Sequence, residues 1–155
     1  MRLVIVTLVG ALTGAWFAAT PAAASDRTDV IATVKQYVDY LNQGDAAKAA
    51  ALCGPQSAII DEFPPHLWQG ATACSDWWNA LVAYDKSNGV TNEHVAPGTR
   101  WNVSVTGDAA YVVVPATYQY KRNGKPVTES GAVWTLVLQR LAGGWRVAGW
   151  AWAQH

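Results

Sequence analysis

Charge is scarce in this chain, and what there is cancels. Eleven Lys and Arg stand against eleven Asp and Glu, for a formal net charge of zero. That balance supplies neither a basic face to track a nucleic-acid backbone nor a polybasic patch to hold an anionic membrane, so no nucleic-acid partner is expected. Sulfur is scarce too, with one Met and two Cys, Cys53 and Cys74. There is no Cys-x-x-Cys and no nearby His pair, so the spacing of a metal site is missing and no metal is expected. Beyond residue 19 no apolar run is long enough to cross a bilayer. No internal repeat, low-complexity tract or linker divides the chain.

The one long uncharged run lies at the start. Met1-Arg2 is positive, Leu3 to Ala19 carries no charge, Pro21 breaks the run, and Ala22-Ala23-Ala24 supplies small residues before Ser25. This is the order of a secretory signal peptide. It predicts cleavage after Ala24, a signal peptide over 1–24 and a single domain over 25–155. The alternative is an N-terminal anchor, but the run is slightly short for a span of ~20 residues and small residues follow it. The chain is therefore read as exported, periplasmic or extracellular, with no stable membrane anchor after cleavage. Export permits a disulfide between Cys53 and Cys74, closing a loop of about 20 residues and worth ~3 kcal/mol in the chain-entropy model. Two buried thiols are the other reading. Export also removes the chain from intracellular nucleotide cofactors, and none is expected.

Periodicity then divides the exported part. Val30, Val34, Tyr37, Val38 and Leu41 recur at helical spacing and predict a helix over 26–43, ended by Gly44. Asp45 is placed to cap a second helix over 46–53, which Gly54-Pro55 stops. Residues 57–61 read as a short strand, 62–70 with Pro64-Pro65 as a loop, and 71–88 as a third helix carrying Trp77, Leu81 and Tyr84 and closed by Gly89. Everything after Thr91 reads as strand, with turns at Gly107-Asp108, Asn123-Gly124 and Gly143-Gly144. Pro115, inside one of these strands, argues for an edge or a bulge. Helices segregated from an antiparallel sheet make an α+β layout.

Three segments carry a resemblance. They are Q-Y-V-D-Y-L-N-Q-G-D at 36–45, S-A-I-I-D-E-F-P-P-H-L-W-Q-G at 57–70, and G-G-W-R-V-A-G-W-A-W at 143–152. In this order they resemble the nuclear transport factor 2-like superfamily, and within it the SnoaL-like and ketosteroid-isomerase-like domains. The resemblance covers nearly all of residues 28–153. It implies a cone, in which three N-terminal helices pack on a curved antiparallel sheet and leave a deep, mostly apolar pocket. The superfamily includes isomerases, dehydratases, cyclases and transport factors, so the fold alone does not name an activity.

The resemblance also assigns candidate residues. Asp61 falls where ketosteroid-isomerase-like proteins carry a catalytic aspartate, and a carboxylate at the mouth of an apolar pocket has cause to act as a base near neutral pH. The plainer reading is a residue that ends a strand and caps the next loop. Tyr37 falls at the family's oxyanion-stabilising tyrosine, yet it also belongs to the apolar stripe of its helix. The family's third element, a protonated acid, maps near Thr135 or Leu136, and neither is an acid. Trp150 and Trp152 share one face of the last strand, since side chains alternate. Matched to the family, that face lines the pocket, with Trp134 and Tyr118 beside it and Trp68 as a lid or loop anchor. Glu62 and His66, on the loop after Asp61, read more simply as parts of a rigid loop than as an acid–base pair.

Three functions fit. The first is binding of a small apolar or aromatic molecule in a Trp-rich pocket, favoured because eight of the nine Trp lie beyond residue 24 and the catalytic set is incomplete. The second is an isomerase or lyase with Asp61 as general base and Tyr37 assisting. The third is a non-catalytic module that forms a homodimer through the outer sheet face.

Overall fold

A computed structural model describes residues 21–154, with side chains from residue 25 onward. The expected signal peptide lies outside the described residues except at 21–24, whose backbone forms the start of the first helix. The elements are α1 (Pro21–Asn42), α2 (Ala46–Ala51), β1 (Cys53–Ile60), β2 (Leu67–Gly70), α3 (Ala73–Asn88), β3 (Val90–Pro97), β4 (Asn102–Thr106), β5 (Ala109–Arg122), β6 (Lys125–Leu141) and β7 (Gly144–Ala153).

Helix α1 forms on the stripe read from the sequence. Val30, Val34, Tyr37 and Val38 are at most 2% exposed. Gly44, at φ +71°, supplies the left-handed turn, and Asp45 caps α2 by accepting from the Lys48 amide at 3.1 Å. The amide of Asn42, the last residue of α1, exchanges two bonds with Val95 on β3, at 2.9 and 2.8 Å. Because β3 ends the sheet, this side chain occupies part of a strand edge that would otherwise be unpaired.

The strands form one curved, open sheet in the order β2-β1-β7-β6-β5-β3, with β4 also paired to β5. All pairs are antiparallel except β1 with β7. That parallel contact depends on Gly149, where a Cβ would lie 2.6 Å from the Ala58 carbonyl oxygen. Among the described residues no helix is long and apolar enough to cross a membrane.

Several local readings change. The second helix stops at Ala51, and β1 begins at Cys53, running through Gly54-Pro55. The loop read over 62–70 is shorter, because residues 67–70 pair with β1 as β2. A turn containing a cis Pro64-Pro65 bond and a left-handed His66 (φ +72°) reverses the chain between them. Pro115 lies in a central strand, not on an edge but close to a bulge, where the β5–β6 register shifts between Ala116 and Thr117. Its carbonyl accepts from Gly98 at 2.7 Å, so its missing N–H faces the break where β5 changes partner from β3 to β4. No bond to β6 is lost there.

The inner face of the sheet grades from aliphatic to aromatic to acidic. Ile59, Val112, Leu136, Leu138 and Val147, all 0% exposed, share one core with Val30 and Val34 of α1. Further along lie Trp134, Trp150 and Trp152, then Tyr118, Tyr120 and Glu129. Helix α3 packs on β1, β2 and β3. A disulfide between Cys53 and Cys74 ties its first turn to the start of β1. The outer face presents Tyr111 and Val137, opposite one another and 47% and 44% exposed.

Candidate functional site

Alternation along β7 and the pairing of Trp134 with Trp152 gather the predicted rings on the inner face. They form a continuous run of contacts. Trp77 of α3 meets Trp150 edge-on at 4.9 Å, Trp150 meets Trp134 at 5.5 Å, Trp134 meets Trp152 at 5.9 Å, Trp152 meets Tyr118 at 6.4 Å, and Tyr118 meets Tyr120 at 4.9 Å. Trp77, Trp134 and Trp150 are buried, whereas Trp152 and Tyr118 are half-buried. Tyr120, at the far end, is 5% exposed and buried again, so the run is accessible at Trp152 and Tyr118.

Tyr37 closes the buried end. Its ring lies 6.1 Å from Trp134, and its hydroxyl oxygen accepts from Trp150 Nε1 at 3.1 Å. Burial pushes its phenol well above the usual range, the Trp150 bond opposes this, and the Asp61 charge adds to it. Tyr37 is therefore neutral at any physiological pH, a donor rather than a base.

Asp61 follows the last residue of β1, on the same side as Ile59. The β1–β7 pairing ends one residue earlier, with Ile60 opposite Ala151. One carboxylate oxygen accepts from Trp77 Nε1 at 2.8 Å and the other from the Glu62 amide at 2.8 Å. Burial raises its pKa, and those two bonds and the His66 charge hold it back. Asp61 thus caps its loop, as the plainer reading has it, and also meets the aromatic run through Trp77.

Two further acids, missed in the sequence, adjoin it. Asp85 of α3 is 9% exposed. It lies near Glu93 of β3, and burial, then Glu93, then Asp61 push its pKa up to about 7. The Glu93 charge beside it disfavours the ionised form of Asp85. Tyr118 lies within reach of the same charges. Burial, followed by Asp85, Glu93 and Glu129, drives its phenol well upward. The signal for Asp85 was legible, because Trp77, Leu81 and Asp85 fall at i, i+4 and i+8, which puts an acid on the apolar stripe of α3. Glu93 was not. The register shifts between Thr91 and His94, where Asn92 is left-handed (φ +60°), so alternation does not report its side.

This pair makes stability depend on pH with a definite sign. Between the ordinary carboxyl value of 3.8 and about 7 the unfolded chain has lost the Asp85 proton while the folded chain keeps it. Stability from this group is therefore greatest below the unfolded value and falls as pH rises towards about 7. Asp85→Asn is expected to flatten that decline and to stabilise the chain at pH 8 by about 1–3 kcal/mol, since an amide bonds Glu93 without a charge. Urea unfolding from pH 4 to 8 measures it; parallel profiles for the two proteins would show that the pKa of Asp85 is not raised in the fold.

The remaining candidates sit apart from the run. Trp68, on β2 opposite Ile59, is 8% exposed and stacks at 5.0 Å on Phe63, which in turn meets Tyr84 at 5.1 Å. Glu62 and His66 are exposed, and the His66 ring bonds the Asp61 backbone carbonyl at 3.1 Å. Among the described residues no three His, Cys, Asp or Glu are grouped to hold a metal. At the positions matched to the family's missing acid, Leu136 is fully buried and Thr135 lies on the opposite sheet face. Two open grooves flank α1, of about 600 and 720 Å³, lined by Arg27, Lys35 and Trp101 and by Gln36, Trp145 and Arg146 respectively. Neither includes any of the rings or acids above.

Solved structures share this architecture at low sequence identity. A protein with a cystatin-like fold from Novosphingobium aromaticivorans, described as nuclear transport factor 2-like, is 17% identical, with a TM-score of 0.68 over 84% of this chain and 82% of that one. A nuclear transport factor 2-like superfamily protein from Salmonella enterica is 12% identical, with a TM-score of 0.70 over 84% and 92%. A ketosteroid isomerase-like protein from Erwinia carotovora atroseptica is 14% identical, with a TM-score of 0.67 over 83% and 95%. No curated protein matches the chain in sequence. At these identities the likeness carries the fold and not the chemistry. The model of the SnoaL-like domain matches residues 30–151, most of the chain and every residue of the aromatic run except Trp152, and the chain belongs to that family.

Proposed function

We propose that this protein binds a small, largely apolar molecule, aromatic or alicyclic, against Trp152 and Tyr118 on the inner sheet face. One observation carries the reading. The ring run emerges from the core at these two half-buried residues, beside Asp61 and the Asp85–Glu93 pair. An apolar wall with a few converging polar groups is the usual form of a small-molecule site. The disulfide supports an oxidising compartment, so the ligand is met outside the cytoplasm.

The test is a fluorescence titration with 2-acetylnaphthalene, whose aromatic ketone quenches nearby indoles. Trp152→Ala is expected to weaken binding by about 10- to 100-fold, as loss of a contacting aromatic ring does. No saturable quench, or equal affinity in the variant, would remove the reading. Proton abstraction next to a carbonyl, with Asp61 as base, is the second reading, favoured by the burial that raises its pKa. Asp61→Asn separates the two. A binding site keeps its affinity within about threefold, whereas an enzyme also loses exchange of the ketone's methyl protons with deuterated solvent.

A further inference from the structure

Two buried polar atoms along the aromatic run have no hydrogen-bond partner, and they differ in kind. Trp134 Nε1 is a donor enclosed by the rings of Tyr37, Trp150 and Trp152. Glu129 Oε2 is an acceptor that carries charge, at the other end of the run. Glu129 stands opposite Tyr118 in the β5–β6 pairing, and its second oxygen accepts from the Tyr120 hydroxyl at 2.6 Å. Asp85 is also an acid without a counterpart. It is 9% exposed, and no described donor or cation offsets its charge, since burial, Glu93 and Asp61 all raise its pKa. Among the described residues the ion pairs join Lys48 to Asp45, and Arg140 to Asp26 and Asp108. None of them reaches Asp61, Asp85, Glu93 or Glu129. Arg122 is turned to the Tyr120 hydroxyl at 3.0 Å and lies over that ring at 5.3 Å. Buried acids in native proteins are rarely left unpaired, and an exception calls for a cause.

We propose that the bound molecule carries a protonated amine, with Asp85, Glu93 and Glu129 holding its ammonium group and Trp152 and Tyr118 holding its apolar body. The inference rests on the binding reading above and names the class of molecule bound. An ionised carboxylate only accepts, so its missing partner is a donor, and burial favours a donor that is charged. An ammonium group brings three N–H donors and a positive charge together. Aromatic faces attract the same cation. Trp152 and Tyr118 meet edge-on at 6.4 Å and are half-buried, which leaves an accessible wall next to the unpaired acids. The acids converge on Tyr118, since after burial the charges of Asp85, Glu93 and Glu129 each push its phenol upward. An anion would be repelled there, and a hydroxyl supplies one donor without the charge. Among the described residues no three ligands are grouped to hold a metal cation in the amine's place.

The test is a calorimetric titration of the full chain with two probes of similar shape. One is 2-(2-naphthyl)ethylamine, which is protonated at neutral pH. In the other, 2-(2-naphthyl)ethanol, a hydroxyl replaces the ammonium group. The amine is expected to bind roughly tenfold more tightly, as charge-assisted hydrogen bonds and ring contacts imply. The formal net charge of zero gives the chain no general attraction for a cation. Asp85→Asn/Glu129→Gln keeps the shape of both side chains and removes their charge, so it is expected to bring the two affinities within about threefold. Equal binding of the two probes to the unaltered chain overturns the proposal, and that comparison does not depend on a variant folding. A preference unchanged in the double variant overturns it as well. If neither probe binds and 2-acetylnaphthalene does not bind either, the binding reading itself falls and takes this one with it. If the ketone binds but the amine binds no more tightly than the alcohol, only the amine assignment falls.

Discussion

Replacing Trp150 with alanine is expected to destabilise the chain by about 3–5 kcal/mol, the usual cost of removing a large aromatic side chain from a packed core. Trp150 is 5% exposed and stands at the junction of the aromatic run, edge-on to Trp77 at 4.9 Å and to Trp134 at 5.5 Å. It also links strand to helix, since its Nε1 donates to Tyr37 on α1. Truncation removes dispersion contacts on three sides, and the buried Tyr37 hydroxyl loses its donor. Urea unfolding reads the effect as a lower midpoint at unchanged slope. Trp152→Ala serves as the comparison, because its ring is half-buried and should cost distinctly less. Similar losses at both positions would mean that the gradient from core to accessible wall is not real in solution.

The second large effect concerns the disulfide. Cys53 and Cys74 are 21 residues apart, and in the chain-entropy model opening a loop of that size costs ~3 kcal/mol. Cys53→Ala/Cys74→Ala is expected to lower the melting temperature of the purified chain by ten degrees or more, roughly as that free energy implies for a domain of this size. Reduction of the unaltered chain should lower it comparably. The consequence extends beyond stability. The bridge fastens the first turn of α3, and α3 carries Trp77 and Asp85 to the sheet. Probe binding in the double variant should therefore weaken at temperatures where the chain is still folded. A melting temperature within two degrees or so of the unaltered chain would show that packing alone seats the helix.

These effects separate the legible part of the molecule from the rest. Helix α1 was readable because its stripe repeats every three or four residues and Gly44 and Asp45 mark its end locally. The hairpin at Asn123-Gly124 was readable for the same reason, as two residues suffice to set that turn. The resemblance to the SnoaL-like domains held, and with it the curved sheet and the shared inward face of Trp150 and Trp152. The short strand β2 was hidden inside a Pro-rich segment, because only its pairing with β1 makes it a strand.

The acid end of the site was hidden by bulges. Glu129 lies on the same face as Trp134 although the two are an odd number apart, because the register shifts beside Gly131, whose φ is +90°. On β7 a shift next to Ala148 likewise puts Val147 and Trp150 on one face. Each bulge adds one residue to one strand and inverts the period of two on which a sequence reading depends.

The sequence by itself determined most of the local elements and the family, and it offered Tyr37, Asp61, Trp134, Trp150 and Trp152 as candidates, since these follow from short-range periodicity and from motifs. Only the tertiary structure decided the raised pKa of Asp85 beside Glu93, the unpaired Trp134 N–H, and where the aromatic wall meets solvent. These are properties of pairs brought together from distant parts of the chain, and the desolvation that shifts a carboxyl or strands an indole proton exists only after the sheet and helices have closed around it.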